Sequence, residues 1–333
     1  MALSSTRPEL LVLRALGLGD LLTVLPALRG LRAAFPGHRL TVAAPGSLEA
    51  LARHAGVADA WVPTDGLHRV PAVTGPPRRP AVAVNLHGCG PQSHSWLAAH
   101  EPAHVIAFAA PPRYLDGPRW EGAGPHEVAR WCGLLAAHGI ASDRGHLCLA
   151  RPPVDPPWSG AVLVHPGAAS PARRWPAARF ADVARALAED GQRVVVTAGP
   201  GEEAAAGAVA AAAAVELAHG MDLLELVALV ADAPLLICGD TGLGHVATAT
   251  GTPSVLLFGP SAPSSWGPPP GSSCHRVLWG GTTGEPLAGE VDPGLARITV
   301  AEVLDAACTQ LGRRDLRRGT PVADGGPHRR RNC

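Results

Sequence analysis

From Leu10 to Phe258, short apolar runs alternate with longer stretches in which apolar residues recur every three or four positions. Leu10–Arg14 (LLVLR) is one such run, and beyond the turn Gly17-Leu18-Gly19-Asp20 the residues Leu21, Leu25, Leu28 and Leu31 share one helical face. This predicts strand, glycine turn, helix. Further strands are expected at Leu40–Ala43, Ala60–Val62 and Ala81–Asn85, with a helix near Ser47–His54 and a Pro-rich loop over 70–80. Strands alternating with helices imply a parallel sheet covered on both faces.

The stretch Leu149–Trp158 (LARPPVDPPW) carries four prolines, which deny a helix its hydrogen bonds and favour extended chain, so it is expected to be a linker. The alternation then resumes. Strands are expected at 161–165, 193–197, 235–238 and 254–258, and helices at 177–189, 202–214, 223–231 and 243–250. The chain is therefore read as α/β, with two consecutive doubly wound domains at 1–150 and 159–312 and the cleft between them as the expected site. Its 333 residues suffice for two hydrophobic cores.

Composition narrows the function classes. Apolar residues make up 47% of the chain and charged residues 17%, which excludes wholesale disorder, collagen and coiled coil. All 28 basic residues are Arg, which with the abundant Ala, Gly and Pro suggests a GC-rich, bacterial genome rather than a function. The net charge is zero, but residues 313–331 hold seven Arg and two Asp, leaving the rest of the chain at −5. A mildly acidic body is not that of a nucleic-acid binder. The basic segment 313–333 is expected to be a disordered, solvated tail, the second reading being weak attraction to an anionic inner membrane surface. Seven scattered Cys, with no CxxC and no His pair at zinc spacing, fit reduced thiols in the cytoplasm and imply no metal site. No apolar stretch is long enough for a membrane helix, and nothing points to an obligate protein partner.

Three segments carry candidate chemistry. Cys238–His245 (CGDTGLGH) links a strand to a helix; Thr241 is placed to cap that helix, and the amides near Gly242, Leu243 and Gly244 would attract a phosphate. Asp240 is expected at the strand's carboxyl end. His165–Pro176 (HPGAASPARRWP) offers Gly167, Ser170, Arg173 and Arg174, the amide, hydroxyl and guanidinium groups a pyrophosphate needs, with Trp175 expected to pack beneath the helix. Gly17–Asp20 is a weak dinucleotide signal, because Leu22 stands where a third glycine is required; Asp20 is then either a base at the top of the sheet or a helix N-cap. For each segment an ordinary strand-to-helix turn or surface loop is the competing reading. Asn85–Trp96 (NLHGCGPQSHSW) adds His87, Gln92 and His94, with Gly19, as groups that could bind an acceptor.

Taken together, GLGDLLTVLPALRGLRAAFP followed by LTVAAP, then HPGAASPARRWP, then LVALVADAPLLICGDTGLGHVATATGTPSVLLFGPSAPSSWGP, resemble glycosyltransferase family 9, the ADP-heptose:lipopolysaccharide heptosyltransferases and their relatives. The resemblance implies a GT-B fold of two Rossmann-like domains facing across a cleft, the first for the acceptor and the second for a nucleotide-sugar donor, without a metal or other cofactor. It implies Asp20 as catalytic base, Arg173 where relatives carry Lys, Asp240, Thr241, Gly242 and His245 as the sugar-diphosphate motif, and Glu225 near the nucleoside ribose. The implied reaction is inverting transfer of a heptose or related sugar, ADP-heptose foremost, to a glycan or small-molecule hydroxyl, with the two carboxylates Asp20 and Asp240 meeting on closure of the cleft. A nucleotide-sugar 2-epimerase of the same architecture and a noncatalytic nucleotide-sugar-binding protein remain the alternatives.

Overall fold

The computed structural model describes residues 7–67, 79–111, 114, 116–122 and 124–318, with the side chains of 313–318 left out. Most of the expected Pro-rich loop and residues 319–333 of the expected tail therefore lie outside the described residues. The chain divides into two compact units, 1–147 and 148 onward.

The N-terminal unit is one five-stranded parallel sheet, ordered β3-β2-β1-β4-β5. Its strands are β1 (Glu9–Leu13), β2 (Arg39–Ala44), β3 (Ala60–Pro63), β4 (Val82–Asn85) and β5 (His104–Ile106). β1 is central and flanked on both sides, with Val12 opposite Val42 on one side and Val84 on the other. Leu10 to Leu13 are accordingly sealed from solvent, as a strand covered on both faces requires. The helices are α1 (Leu18–Thr23), α2 (Leu25–Ala34), α3 (Glu49–His54), α4 (Gln92–Ala98) and α5 (Glu127–Ala137). The single helix expected after the glycine turn is two, broken at Val24, because Pro26 in the first turn of α2 cannot donate to a preceding carbonyl. The loop expected at 85–96 is likewise shorter, since α4 begins at Gln92.

In the C-terminal unit the six parallel strands run β11-β10-β9-β6-β7-β8. They are β6 (Val162–His165), β7 (Val194–Thr197), β8 (Glu216–Ala218), β9 (Leu236–Gly239), β10 (Ser254–Phe258) and β11 (His275–Trp279). The helices are α6 (Ala177–Glu189), α7 (Glu203–Ala213), α8 (Leu223–Asp232), α9 (Gly242–Thr250), α10 (Pro263–Trp266), α11 (Pro293–Arg297) and α12 (Val300–Arg318). Val162, Val164, Val194, Val196, Ile237, Val255 and Leu257 form the sheet side of a core closed by Phe180, Val183 and Leu187 of α6 and Val303 and Ala307 of α12. Trp175 packs there too, its ring edge-on to Phe180 and its indole N–H donating to the Ile298 carbonyl at 3.0 Å. α12 is helical through Arg318, which covers the first six residues of the segment expected as a disordered tail. Arg151 in the Pro-rich stretch is paired with Asp232, and the Leu149 N–H donates to Ala249, so that stretch is anchored to this unit.

In each sheet the chain reverses its direction of growth once, between β1 and β4 and between β6 and β9. Open parallel sheets hold ligands at the carboxyl ends of strands flanking such a switch point. The candidate segments lie at these two places.

Candidate active site

In the C-terminal unit, β9 ends at Gly239 and Asp240 follows at the strand's carboxyl end, nearly buried. Thr241 caps α9, its hydroxyl accepting the Leu243 N–H at 3.1 Å and its carbonyl the Gly244 N–H at 3.1 Å. Of the three amides expected to face a phosphate, the cap thus engages two and leaves Gly242. The Leu243 side chain turns into the core. Asp240, Thr241, Gly244 and His245 line a shallow open recess together with Thr248, Trp266 and Pro268. The Trp266 ring stands edge-on to His245.

The 165–176 loop reaches the same place. One guanidinium nitrogen of Arg173 lies 3.6 Å from an Asp240 carboxylate oxygen and 3.5 Å from its carbonyl, while Arg173 Nε is buried without a hydrogen-bond partner. Arg174 points elsewhere, exposed, its Nε donating to the Ala168 carbonyl. Close approach is built in here, for a Cβ on Gly239 would sit 3.0 Å from the Arg173 carbonyl. The Ser170 hydroxyl is spent on the Pro286 carbonyl, and Ala172 exchanges backbone hydrogen bonds with Ala288 and Asp292. Ser170 therefore fastens the loop to the 285–292 segment, a role that spacing alone did not suggest.

Gly167 abuts an acid that sequence reading missed. A Cβ there would collide with the Glu202 carboxylate, which accepts the Gly199 N–H at 3.0 Å and stands 3.6 Å from His165 Nε2. His165 is buried, its Nδ1 is 3.1 Å from the Thr197 hydroxyl, and burial pulls its pKa below the ordinary value against the opposing pull of Glu202. Glu225 completes a capping box with Asp222 at the start of α8, which follows β8 in the chain.

In the N-terminal unit Asp20 occupies the first turn of α1. One carboxylate oxygen accepts the Gly17 N–H at 3.2 Å, and the other is paired with Arg14 at 3.1 Å. Asp20 is thus a helix-turn cap and a solvent-reachable carboxylate at once, with its side chain 27% exposed. Gly19 lies in the same turn. At the end of β4 the Asn85 side chain accepts the His87 and Gly88 N–H groups and donates to the Ser93 hydroxyl. His94 is held, its Nε2 2.8 Å from the Phe108 carbonyl and its Nδ1 3.3 Å from the Asn85 amide nitrogen. Gln92 is exposed at the start of α4. The His87 ring is half-buried, with Nδ1 lacking a hydrogen-bond partner, and burial followed by the charge of Arg14 pushes its pKa down to about 4. Among the described residues no cluster of three or more His, Cys, Asp or Glu could hold a metal ion, and no helix is long and apolar enough to cross a membrane.

With a capped helix and, just before it, a buried carboxylate paired with a cation at one switch point, comparison with known proteins becomes informative. The model of glycosyltransferase family 9 (heptosyltransferase) matches residues 153–284. That segment includes both candidate loops of the C-terminal unit. Lipopolysaccharide heptosyltransferase 2 of Escherichia coli K12 is 36% identical over 121 residues, which is 34% of this chain and 34% of that protein. The match thus spans about a third of the length of the curated relative. The structure of E. coli ADP-heptose LPS heptosyltransferase II superposes with a TM-score of 0.72 at 22% identity, over 92% of this chain and 99% of that one. TibC, described as an iron-containing heptosyltransferase in complex with ADP-D-β-D-heptose, superposes at 0.58 with 18% identity, over 93% and 77% of the two chains. At these identities the likeness establishes the fold, which is that of the GT-B heptosyltransferases.

Proposed function

We propose that the protein is an inverting glycosyltransferase that moves a heptose or related sugar from a nucleotide-diphosphate donor, ADP-heptose foremost, to a hydroxyl of a glycan acceptor. The observation that carries this is the pairing of Arg173 with Asp240, which together with the capped N-terminus of α9 lines a recess inside the family-matched segment. Such a site suits a leaving diphosphate, since the guanidinium and the helix dipole both favour negative charge where it accumulates. Glu225 is the acid for the nucleoside's hydroxyls, with Glu202, next to Gly167 of the donor loop, as a second carboxylate for that role. His245 and Trp266 then bound the sugar side of the recess.

In the reaction, Asp20 takes the proton of the acceptor hydroxyl as that oxygen bonds to the anomeric carbon and the carbon–diphosphate oxygen bond breaks. Arg173 and the Gly242 amide absorb the charge that leaves. His87, neutral at physiological pH, offers a hydrogen bond to the acceptor without adding charge beside Asp20. These groups supply acid–base and electrostatic stabilisation without a metal. Contact with the inner membrane surface belongs to the same proposal only through the basic 313–333 segment.

The deciding experiment compares wild type with Asp20→Asn, measuring ADP affinity by calorimetry and ADP release from ADP-heptose with deacylated lipopolysaccharide inner core as acceptor. Turnover is expected to fall by about 10²–10⁴-fold while ADP affinity holds, because the base acts on the acceptor. Turnover within a few-fold of wild type removes Asp20 from the base role; wild type that binds neither ADP nor ADP-heptose removes the nucleotide-sugar reading.

A further inference from the structure

Arg14 follows β1 with a fully buried side chain, which is rare for a charged residue unless it is paired. Its donors go to three separate segments. Nη1 bonds the Leu86 carbonyl beyond β4 at 2.6 Å, Nε bonds the Asp20 carbonyl at 3.1 Å, and Nη2 meets Asp20 Oδ1 at 3.1 Å and Glu127 Oε1 at 3.2 Å. Glu127 opens α5 and is held in turn by the Trp131 indole N–H at 2.6 Å, while the Trp131 ring lies 4.9 Å from the Arg14 guanidinium carbon. One cation is thus shared between two carboxylates, one sealed in the interior and the other reaching solvent.

We propose that Arg14 is the positioning residue of the Asp20 carboxylate, gripping that residue by backbone carbonyl and side chain together so that its exposed lone pairs are aimed at an incoming hydroxyl. The fork geometry explains the choice of arginine: Nε and Nη2 diverge at the spacing needed to hold an oxygen of the α1 turn and the carboxylate of the same residue. Gly17 N–H fixes the second carboxylate oxygen, so each oxygen has one structural donor and keeps acceptor capacity for a ligand. Because its side chain has no exposed surface, Arg14 acts through Asp20 and not on a substrate. Glu127 is shared with Arg130, whose Nε lies 3.3 Å from its other oxygen, so two guanidinium groups face two carboxylates and Arg14 draws part of its compensating charge from Asp20. Burial lowers the Arg14 pKa, against the opposing charges of Asp20 and Glu127.

This inference rests on Asp20 being the base, and the test separates the two. Arg14→Met and Arg14→Lys are compared, in the full chain, with Gly30→Ala, a destabilising change in α2 whose new methyl would press on the Ala141 carbonyl away from the network. For Arg14→Met, kcat at saturating donor is expected to fall by about 10²-fold with ADP affinity unchanged. Arg14→Lys, which keeps the charge but loses the fork, should fall about tenfold. Gly30→Ala should lower the melting temperature and leave kcat within a few-fold of wild type. A purely structural Arg14 predicts instead that kcat follows melting temperature across all three. Wild-type kcat in Arg14→Met or, should that variant not fold, in Arg14→Lys overturns the positioning role alone. Absence of transfer in wild type overturns the base assignment and the positioning role with it.

Discussion

Arg173 is the cation closest to Asp240 on the donor loop, and its removal has a calculable effect on nucleotide binding. Its guanidinium reaches Asp240 at 3.6 Å through Nη1, while Nε is buried and unpartnered. Hydrogen bonds to charged groups contribute about 1.5–3 kcal/mol each where solvent is largely excluded. Arg173→Ala also leaves the Asp240 carboxylate, 6% exposed, facing an incoming diphosphate with no compensating charge. The two effects act in the same direction, so ADP affinity should fall by about 3 kcal/mol, roughly a hundredfold. Arg173→Lys keeps the charge and loses the fork, and should cost about 1 kcal/mol. Arg174→Ala should change affinity by less than about twofold, because that side chain is exposed and its Nε is already given to Ala168. The assay is calorimetric titration of ADP into wild type and the three variants at one ionic strength. A larger loss for Arg174→Ala than for Arg173→Ala would show that the register is off by one; no loss from either would make the loop a surface feature and refute the electrostatic argument.

Three further outcomes follow from the same geometry. If Arg173 and the α9 amide replace a metal, transfer should survive excess EDTA, and loss of activity restored by Mg²⁺, Mn²⁺ or Fe²⁺ would refute the metal-free mechanism. Burial holds His275, whose Nδ1 is 2.8 Å from the Ser254 hydroxyl, at a pKa of about 4, so between roughly pH 6.5 and 4 the unfolded chain binds a proton that the folded chain does not. Stability should therefore fall with pH, by about 2 kcal/mol more from pH 7.5 to 5 in wild type than in His275→Gln, as denaturant titration would show; equal losses would contradict it. Helix propensity alone would have alanine stabilise both Gly30 and Gly133 by about 1 kcal/mol. Gly133 has nothing within 4 Å of a new Cβ and should follow propensity, whereas Gly30 would place its Cβ 2.7 Å from the Ala141 carbonyl and should lose about 1–3 kcal/mol; melting temperatures moving in the same direction would refute the steric argument.

The local sequence determined most of the elements. α6 at 177–189 and β10 at 254–258 are where periodicity puts them, because a long amphipathic stretch and a buried apolar run each carry their own signal. Thr241 as the cap of α9 and Trp175 as a core residue were legible for the same reason: both depend on immediate neighbours. The three-residue strand β8 left no such trace, and the break between α1 and α2 was hidden by an apolar spacing that continues through Pro26. The partnerships within the sites came from tertiary structure alone. Arg14 and Glu127 are 113 residues apart, and only the β1–β4 switch point with α5 docked beside it brings them to Asp20. Gly167 meets Glu202, and Ser170 meets Pro286, through loops at the ends of different strands. Residue spacing reports which groups share a face of one element; it carries no information about which loops a parallel sheet gathers at its carboxyl edge, because that depends on strand order. Thus an arginine following a buried strand, which in sequence merely interrupted an apolar run, acquires a role only when the sheet closes around it.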